Sequence, residues 1–402
     1  MKSGWEEITL GELCEIARGG SPRPIKNFIT EEKDGVNWIK IGDTKLGGKY
    51  IESTKQKIRP EGIKKSRWVE EGDFLLSNSM SFGRPYILKT SGCIHDGWLV
   101  LKPDYEKVDQ NYLYFVLSSP VVFSQFDNLA AGSTVRNLNT KLVTKVTIPL
   151  PPLEEQRRIV ALLDQAFEGL DRARANTEAN LNSARELFES SVANIFGSEQ
   201  NELSYMVLGD IVTDDCNLSY GIVQPGPEVS VGLPLVRPTN LGEKYVSASG
   251  LKIIDPKRAD KYERTILKGN DLLLCVRGTT GTVSLASQEL EKANVTRGIV
   301  PIRFNPSVLN QELGYYCFLE KTVKDQIQDS TYGAALQQIN IRDVRKLDIP
   351  VIAMEKQKQV LENLNGIQKM CLGIAIDYRK KLSKLLSLRQ SLLAKAFAGE
   401  LT

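Results

Sequence analysis

Few residues of this chain could take part in covalent chemistry. His95 is the single histidine, and it closely follows Cys93 and directly precedes Asp96. A nucleophile, an imidazole and a carboxylate are the groups of a catalytic relay. Adjacent residues on a strand point to opposite faces, so His95 and Asp96 cannot face each other as a relay requires. We expect His95 to be a satisfied structural residue or a contact to a bound partner, not a catalyst.

Other catalytic and cofactor motifs are missing from the sequence. There is no Walker A sequence, no GxSxG elbow and no Asn/Asp-Pro-Pro-aromatic motif, and the pairs Gly19-Gly20 and Gly47-Gly48 lack the GxGxxG spacing. The six cysteines form no CxxC pair, so zinc-finger spacing is absent as well. We therefore expect a chain that is not an enzyme and that binds no metal or cofactor of its own.

Two cationic segments favour binding to phosphates. The first has six cations against one acid, Glu61, and the second has interspersed acids. Lysine and arginine contacts to phosphates supply affinity without sequence information. The alternative is a solvated lysine-rich loop. The proposed phosphate-binding residues are Lys55, Lys57, Arg59, Lys64, Lys65 and Arg67 in the first segment and Lys257, Arg258, Lys261 and Arg264 in the second.

Four polar loop segments favour recognition of base edges. Arginine pairs with guanine, asparagine and glutamine pair with adenine, and serine or threonine pair with several bases. Turn chemistry alone is the alternative explanation for these residues. The candidates are Ser77, Asn78, Ser79 and Arg84, then Arg136 and Asn137, then Arg277, Thr279 and Thr280, and finally Gln337 and Gln338.

The composition limits the class of protein that carries these segments. The 402 residues are 41% hydrophobic and 25% charged, enough for two or more globular domains. The formal net charge is only +3, so affinity for a polyanion must come from local segments. The scattered cysteines are typical of reduced, mostly buried thiols. Because no leader-like segment and no apolar run of roughly 18 residues is found, we predict a cytoplasmic protein without a membrane span.

The candidate segments occupy the same places in two copies of a repeat about 200 residues long. Residues 10–13 (LGEL) match residues 208–211 (LGDI), and Asp73 and Gly83 match Asp271 and Gly281. Ile148-Pro149 matches Ile349-Pro350 in the same way. The matched segments 72–76 and 270–274 have the pattern of a turn followed by a buried strand.

After each proline the pattern changes to a long helix with apolar residues at alternating steps of three and four, the seam of a coiled coil. Each helix is about 64 Å long, too long for burial in one domain. The first carries net −3 and the second net +6, which favours antiparallel pairing between them. The predicted seam residues are Ile159, Leu163, Leu170, Leu181, Phe188, Val360, Leu364, Ile367, Ile374, Leu382, Leu385 and Leu392.

These patterns predict a mixed α/β fold (α+β) with two globular recognition domains in tandem and two long helices that form an antiparallel coiled coil. The predicted ranges are 1–153 for the first domain, 154–197 for the central spacer helix, 198–354 for the second domain and 355–402 for the C-terminal spacer helix.

This combination strongly resembles the specificity subunit of type I restriction-modification enzymes. The most specific parts are the junction at residues 148–159 (IPLPPLEEQRRI) and the tail at residues 388–401 (LRQSLLAKAFAGEL). The second junction, residues 349–357 (IPVIAMEKQ), departs from the pattern because it lacks the repeated prolines. The helix start is therefore less sharply defined there.

The resemblance implies that each domain reads one half of an asymmetric bipartite site in double-stranded DNA. It also implies two modification (methyltransferase) subunits, which bring S-adenosylmethionine, and separate restriction (motor-nuclease) subunits as partners. No membrane partner is expected. Two alternatives remain open: a coiled-coil scaffold without DNA readout, and a self-contained nuclease or methyltransferase.

The repeat predicts that specificity is modular. Exchanging residues 1 to 150 for another such domain should change only one half of the recognised DNA site, because the second copy is untouched. The recognised sequences are compared by mapping methylated sites for the parent and the chimera. A change in both halves would contradict the modular reading.

Overall fold

A computed structural model describes residues 4–45, 47–78, 82–130, 137–198, 201–333 and 336–401. The chain forms two compact units. Unit 1 consists of Met1–Glu178 and Lys380–Thr402, and unit 2 consists of Ala179–Arg379. Each unit combines the strands and short helices of one repeat with segments of two long helices, which confirms the predicted mixed α/β fold.

Unit 1 contains a two-stranded sheet and two five-stranded sheets, with strand orders β1-β12, β3-β6-β4-β10-β7 and β2-β11-β8-β9-β5. The strands are β1 Glu6–Thr9, β2 Cys14–Arg18, β3 Ile29–Thr30, β4 Val36–Ile39, β5 Tyr50–Ile51, β6 Lys57–Ile58, β7 Arg67–Val69, β8 Phe74–Ser77, β9 Pro85–Leu88, β10 Gly92–Ile94, β11 Trp98–Pro103 and β12 Thr147–Leu150. The helices are α1 Leu10–Leu13, α2 Gln110–Leu117, α3 Pro120–Ala130, α4 Thr140–Val143 and the first part of α5 Leu153–Phe196.

Unit 2 contains sheets with strand orders β13-β21, β16-β14-β19 and β15-β18-β17-β20. The strands are β13 Ser204–Val207, β14 Leu233–Val236, β15 Tyr245–Val246, β16 Lys252–Ile254, β17 Leu272–Cys275, β18 Val283–Ala286, β19 Asn294–Val295, β20 Ile299–Ile302 and β21 Asp348–Val351. The helices are α6 Gln311–Leu319, α7 Lys321–Asp329, α8 Ile341–Val344 and α9 Met354–Ala398.

The sequence repeat is a structural repeat, because matched residues make matched backbone bonds. In unit 1 the Leu10 amide donates to the carbonyl of Val146 over 2.8 Å, and in unit 2 the Leu208 amide donates to the carbonyl of Leu347 over the same distance. The first strand of each unit pairs antiparallel with its last, β1 with β12 and β13 with β21. The beginning and the end of each repeat are thereby joined in one sheet.

The predicted buried strands are β8 and β17. All residues of both strands are buried, because each pairs on both sides with other strands and their sheets pack into the apolar cores. Gly83 and Gly281 follow these strands with φ angles of +77° and +88°. Glycine adopts this left-handed conformation at no steric cost, which explains why both copies have it at the turn.

Segments of α5 and α9 run antiparallel within unit 1. The Arg389 guanidinium forms an ion pair of 3.0 Å with Asp171 and lies 4.0 Å from the ring centre of Phe167. Farther along both helices, Arg158 donates to the carbonyl of Leu401 over 3.2 Å. The ion pair between Arg389 and Asp171 has the signs that the net charges of the two helices favour. Arg158 and Arg174 instead form their ion pairs within α5.

The predicted seam residues are buried or half-buried. Ile159, Leu163, Val360 and Leu364 are buried in the unit cores. The remaining eight are half-buried: Leu170, Leu181, Phe188, Ile367, Ile374, Leu382, Leu385 and Leu392. In the described part of the chain, no helix is long and apolar enough to cross a membrane.

A buried glutamine in the first turn of each long helix joins that helix to its domain. The Gln156 carboxamide accepts from the Asp109 amide over 2.8 Å and donates to the carbonyls of Lys107 and Pro151 over 2.9 and 2.8 Å. Its side chain is fully buried. The bonded groups of Asp109 and Lys107 lie at the start of α2, so the carboxamide fixes the origin of α5 against the domain.

Unit 2 repeats this arrangement around Gln357. Its carboxamide accepts from the Asn310 amide over 2.7 Å and donates to the carbonyls of Val308 and Ile352 over 2.7 and 2.9 Å. The partners are again backbone groups at the start of a helix, here α6, and in the segment before the long helix. The glutamine shared by the two junction segments, Gln156 in the first and Gln357 in the second, therefore has a structural role in both units.

The two units differ where the long helix packs on the domain. In unit 1 the ring of Phe115 packs edge-on against Phe167 of α5, with 5.5 Å between ring centres. In unit 2 the equivalent pair is Tyr316 and Gln368 of α9, joined by a hydrogen bond of 2.7 Å. The same positions therefore carry an aromatic contact in one unit and a polar contact in the other.

Replacing Gln156 with alanine should destabilise unit 1. The change leaves three buried backbone groups without the carboxamide, which should lower the free energy of unfolding by about 2 to 4 kcal/mol. Urea denaturation measures the loss, and amide hydrogen exchange locates it. The matched control is Gln165→Ala, an exposed glutamine of α5. Equal effects of the two substitutions would contradict the proposed role of the carboxamide.

Candidate nucleic-acid interface

His95 packs near two tryptophans and accepts a backbone hydrogen bond. Its Nδ1 accepts from the Gly97 amide over 2.9 Å, and its ring centre lies 6.3 Å from the ring centres of both Trp38 and Trp98. Burial lowers the pKa of His95, so the neutral imidazole is favoured at pH 7. The nearby Cys93 is fully buried. His95 itself is half-buried.

The cysteines are buried, and the described residues contain no cluster of metal ligands. All six cysteines are buried and free, as predicted. Burial raises the pKa of the Cys14 thiol to about 12, which keeps it protonated. The residues that the structure describes contain no group of three or more His, Cys, Asp or Glu that could hold a metal ion.

The structure brings two of the predicted base-reading segments together in each unit. In unit 1 the Leu138 amide donates to the carbonyl of Asn78 over 2.9 Å. In unit 2 the Ile339 amide donates to the carbonyl of Val276 over 3.0 Å, and the Gly278 amide donates to the carbonyl of Gln337 over 2.8 Å. The loop after the buried strand therefore lies beside the segment that precedes α4 or α8.

Not every predicted base-reading residue faces solvent. Ser77 and Asn78 are fully buried, so their side chains cannot reach a base edge, and this part of the prediction is wrong. The Ser77 hydroxyl instead accepts from the Arg84 amide over 3.1 Å, which closes the loop. Arg84 is exposed, and Asn137 is half-buried.

The second unit presents more of its predicted residues. Thr279 and Gln337 are exposed, whereas Arg277, Thr280 and Gln338 are half-buried. Arg277 and Gln338 face each other across an isolated antiparallel bridge. The predicted residues Ser79 and Arg136 lie outside the described residues.

The first cationic segment is exposed but partly engaged. Lys57 is half-buried, whereas the other five residues are exposed: Lys55, Arg59, Lys64, Lys65 and Arg67. Arg59 lies 3.9 Å from Glu32, and the Lys65 ammonium lies 5.1 Å from the ring centre of Phe28. Such exposed contacts are weak, so these cations stay available to a polyanion.

The second cationic segment occupies the equivalent place, after β16. Its four predicted residues are all exposed: Lys257, Arg258, Lys261 and Arg264. The neighbouring Lys268 forms an ion pair with Asp215, and Lys252 donates to the carbonyl of Gly226 over 2.6 Å. Because these two lysines have partners within the unit, the proposed phosphate-binding residues of unit 2 remain the four predicted ones.

In unit 1 a chain of hydrogen bonds connects the cationic segment to the base-reading loop. The Arg67 guanidinium donates to the carbonyl of Arg18 over 2.7 Å, and the Arg18 guanidinium donates to the carbonyl of Asp96 over 3.1 Å. The Asn78 amide group donates to the same Asp96 carbonyl over 2.9 Å. The exposed Arg67 and Arg18 and the half-exposed Asp96 therefore form one connected surface next to the loop.

Sequence reasoning missed Arg18, Ser21 and Arg23, which belong to this surface. The Ser21 hydroxyl donates to the Asp96 carboxylate over 2.7 Å, and Arg23 lies 3.4 Å from the same group. This hydrogen bond from Ser21 holds the pKa of Asp96 below its ordinary value. A turn rich in proline and glycine gave no pattern that would have revealed these contacts.

These features define the class of the protein. Two repeated α/β domains carry an exposed cationic segment and a loop of hydrogen-bonding side chains, the two components of sequence-specific DNA recognition. The family profile described as Type I restriction modification DNA specificity domain matches residues 2–181 and 232–376. The chain belongs to this family, which confirms the resemblance stated from the sequence.

Individual relatives match over nearly the whole chain. The type I restriction enzyme EcoBI specificity subunit of Escherichia coli is 22% identical, over 99% of this chain and 86% of that protein. The putative type I restriction enzyme MjaX specificity subunit of Methanocaldococcus jannaschii is 25% identical, over 91% of this chain and 87% of that protein.

Solved structures share the fold. A chain from a study of complex assembly and conformational transition of the type I R-M system matches with a TM-score of 0.78 and 21% identity, over 100% of this chain and 99% of that chain. The HsdS subunit from Thermoanaerobacter tengcongensis matches with a TM-score of 0.53 and 20% identity, over 100% and 98%.

Replacing Ser21 with alanine should raise the pKa of Asp96 toward its ordinary value. Because the folded-state pKa is lowered, the carboxylate contributes stability above its unfolded pKa, and this contribution is lost as pH falls through the folded pKa. Carbon-13 NMR titration of the aspartate carboxyls measures the change. Ser124→Ala, on α3, is the control, and an unchanged Asp96 pKa in Ser21→Ala would contradict the assigned hydrogen bond.

Proposed function

We propose that the chain is the DNA sequence-specificity subunit of a type I restriction-modification system. Each unit binds one half of an asymmetric bipartite site in double-stranded DNA. The main supporting observation is that the loop after the buried strand has equivalent backbone hydrogen bonds in both units but presents different side chains. The Leu138 and Ile339 amides make equivalent bonds, while the neighbouring loops present Arg84 in unit 1 and Arg277, Thr279 and Gln337 in unit 2.

The proposed binding combines phosphate contacts with base contacts. Exposed cations such as Lys64 and Lys261 neutralise phosphates and release counterions, which supplies affinity in any sequence. The Arg277 guanidinium suits the O6 and N7 acceptors of guanine, and the Gln337 carboxamide suits the N6 and N7 edge of adenine. Because the two units present different groups, they read different half-sites.

The proposed role of the long helices is to fix the gap between the half-sites. Helix α5 has 44 residues and α9 has 45. Continuous helices of about 66 Å are stiff enough to act as spacers. The buried glutamines support this role, because a spacer transmits a fixed distance only when each end is held rigidly by its domain.

The chain is proposed to carry out no reaction itself. Methyl transfer to adenine falls to two modification subunits that bind S-adenosylmethionine, and cleavage falls to restriction subunits, all working in the cytoplasm. The names of the relatives, which are specificity subunits of type I restriction enzymes, support this division of labour. The burial of all six cysteines and the hydrogen bond at the Nδ1 of His95 also support it.

Co-expression with the modification subunit of the same system tests the proposal. N6-methyladenine is mapped across a genome by single-molecule sequencing, and we expect one bipartite asymmetric motif. The purified chain alone, given DNA and S-adenosylmethionine, should transfer no methyl group. Turnover by the chain alone would overturn its non-catalytic role. A stable complex that methylates no motif and binds DNA weakly would instead favour a protein scaffold.

A further inference from the structure

One tight turn occupies the same place in both units. Residues 95–97 join β10 to β11, and residues 296–298 join β19 to β20. The Asn78 amide donates to the carbonyl of Gly97 over 3.0 Å, and the Val276 amide donates to the carbonyl of Gly298 over 2.8 Å. The central residue of the turn is Asp96 in unit 1 and Arg297 in unit 2.

The glycines in and beside this turn have no room for a side chain. A side chain at Gly97 would lie 2.3 Å from the His95 ring, and one at Gly298 would lie 2.7 Å from the Pro238 ring. A side chain at Gly19 or Gly221, on the segment that passes the turn, would lie within 2.1 Å of a backbone carbonyl oxygen. At Gly19 and Gly221 the neighbour is backbone, so only glycine fits there. The position of the central residue is therefore fixed by the frame.

The central side chains are accessible to a ligand. The Asp96 side chain is 43% exposed although Ser21 and Arg23 contact it. Arg297 is exposed, and its guanidinium has no hydrogen bond or ion pair with any residue that the structure describes. In each unit the turn bonds to the loop after the buried strand, and it therefore lies beside the predicted base-reading segments.

We propose that Asp96 and Arg297 are specificity-determining residues that contact bases, an assignment that rests on the proposed function. A carboxylate accepts from the N4 amino group of cytosine, and a guanidinium donates to O6 and N7 of guanine. Asp96 reads cytosine in the first half-site, and Arg297 reads guanine in the second.

The charge of Asp96 makes it a selective reader. A carboxylate beside DNA is repelled by phosphates and by the acceptor atoms of guanine, so it is tolerated only where an amino group faces it. Arg18, Arg23 and Arg67 surround the turn and reduce the repulsion from phosphates. The Ser21 hydroxyl orients one carboxylate oxygen, which leaves the other available to Arg23 or to a base.

The test uses the full chain in complex with its modification subunit. Asp96→Asn and Arg297→Gln remove the charges and keep similar shapes. Competition binding on DNA libraries, with methylation mapping, should show about 10- to 100-fold less discrimination at one base pair. Asp96→Asn should act in the first half-site only and Arg297→Gln in the second only. Asp104→Asn, at the far end of β11, and Arg185→Gln, on α5, are matched controls that should change neither.

The outcomes separate this assignment from the proposed function. No methylated motif with the unaltered chain would overturn both. A normal motif for the unaltered chain, with the same base preferences in Asp96→Asn and Arg297→Gln, would overturn this assignment alone. Melting temperatures check the fold of each variant. If Asp96→Asn is destabilised, Asp96→Ser keeps an acceptor for Ser21 without the charge, and unaltered discrimination in that variant would equally overturn the assignment for Asp96.

Discussion

The carboxamide of a buried glutamine sets the relation between each domain and its long helix. Gln156 and Gln357 each accept from one backbone amide and donate to two backbone carbonyls. Removing a buried group with this many bonds is costly, because the backbone amide and carbonyls would be left buried without a hydrogen-bond partner. The start of a helix more than forty residues long is thereby fixed at its first turn. Any role of the helices as spacers depends on that fixed start.

The two units differ in the side chains that pack near these buried glutamines. Phe115 and Phe167 pack ring against ring in unit 1, and Tyr316 and Gln368 share a hydrogen bond at the same positions in unit 2. An aromatic pair and a satisfied polar pair hold a helix comparably well, since neither leaves a buried group without a partner. The duplication has kept geometry and changed chemistry, in the scaffold as well as in the loops.

The features that could be predicted from the sequence are those with a periodic or repeated pattern. Buried strands, long helices and the turn glycines Gly83 and Gly281 all left such a signal. The sequence did not predict that Ser77 and Asn78 are buried, because a polar residue at the end of a strand looks the same whether it faces solvent or closes a loop. The turn at Asp96 was missed for a different reason. Its surroundings come from segments separated by more than seventy residues, which no local pattern links.

The glycines that fix the turn at residues 95–97 and 296–298 have an evolutionary consequence. They place the strict packing requirement on the glycines, whereas the central side chain of each turn reaches solvent. Replacing Arg297 should therefore affect folding little, whereas replacing Asp96 also removes the contacts with Ser21 and Arg23. At Arg297 a single substitution can therefore change the recognition preference without a large loss of stability. A population exposed to changing foreign DNA would gain such variants at little cost in folding.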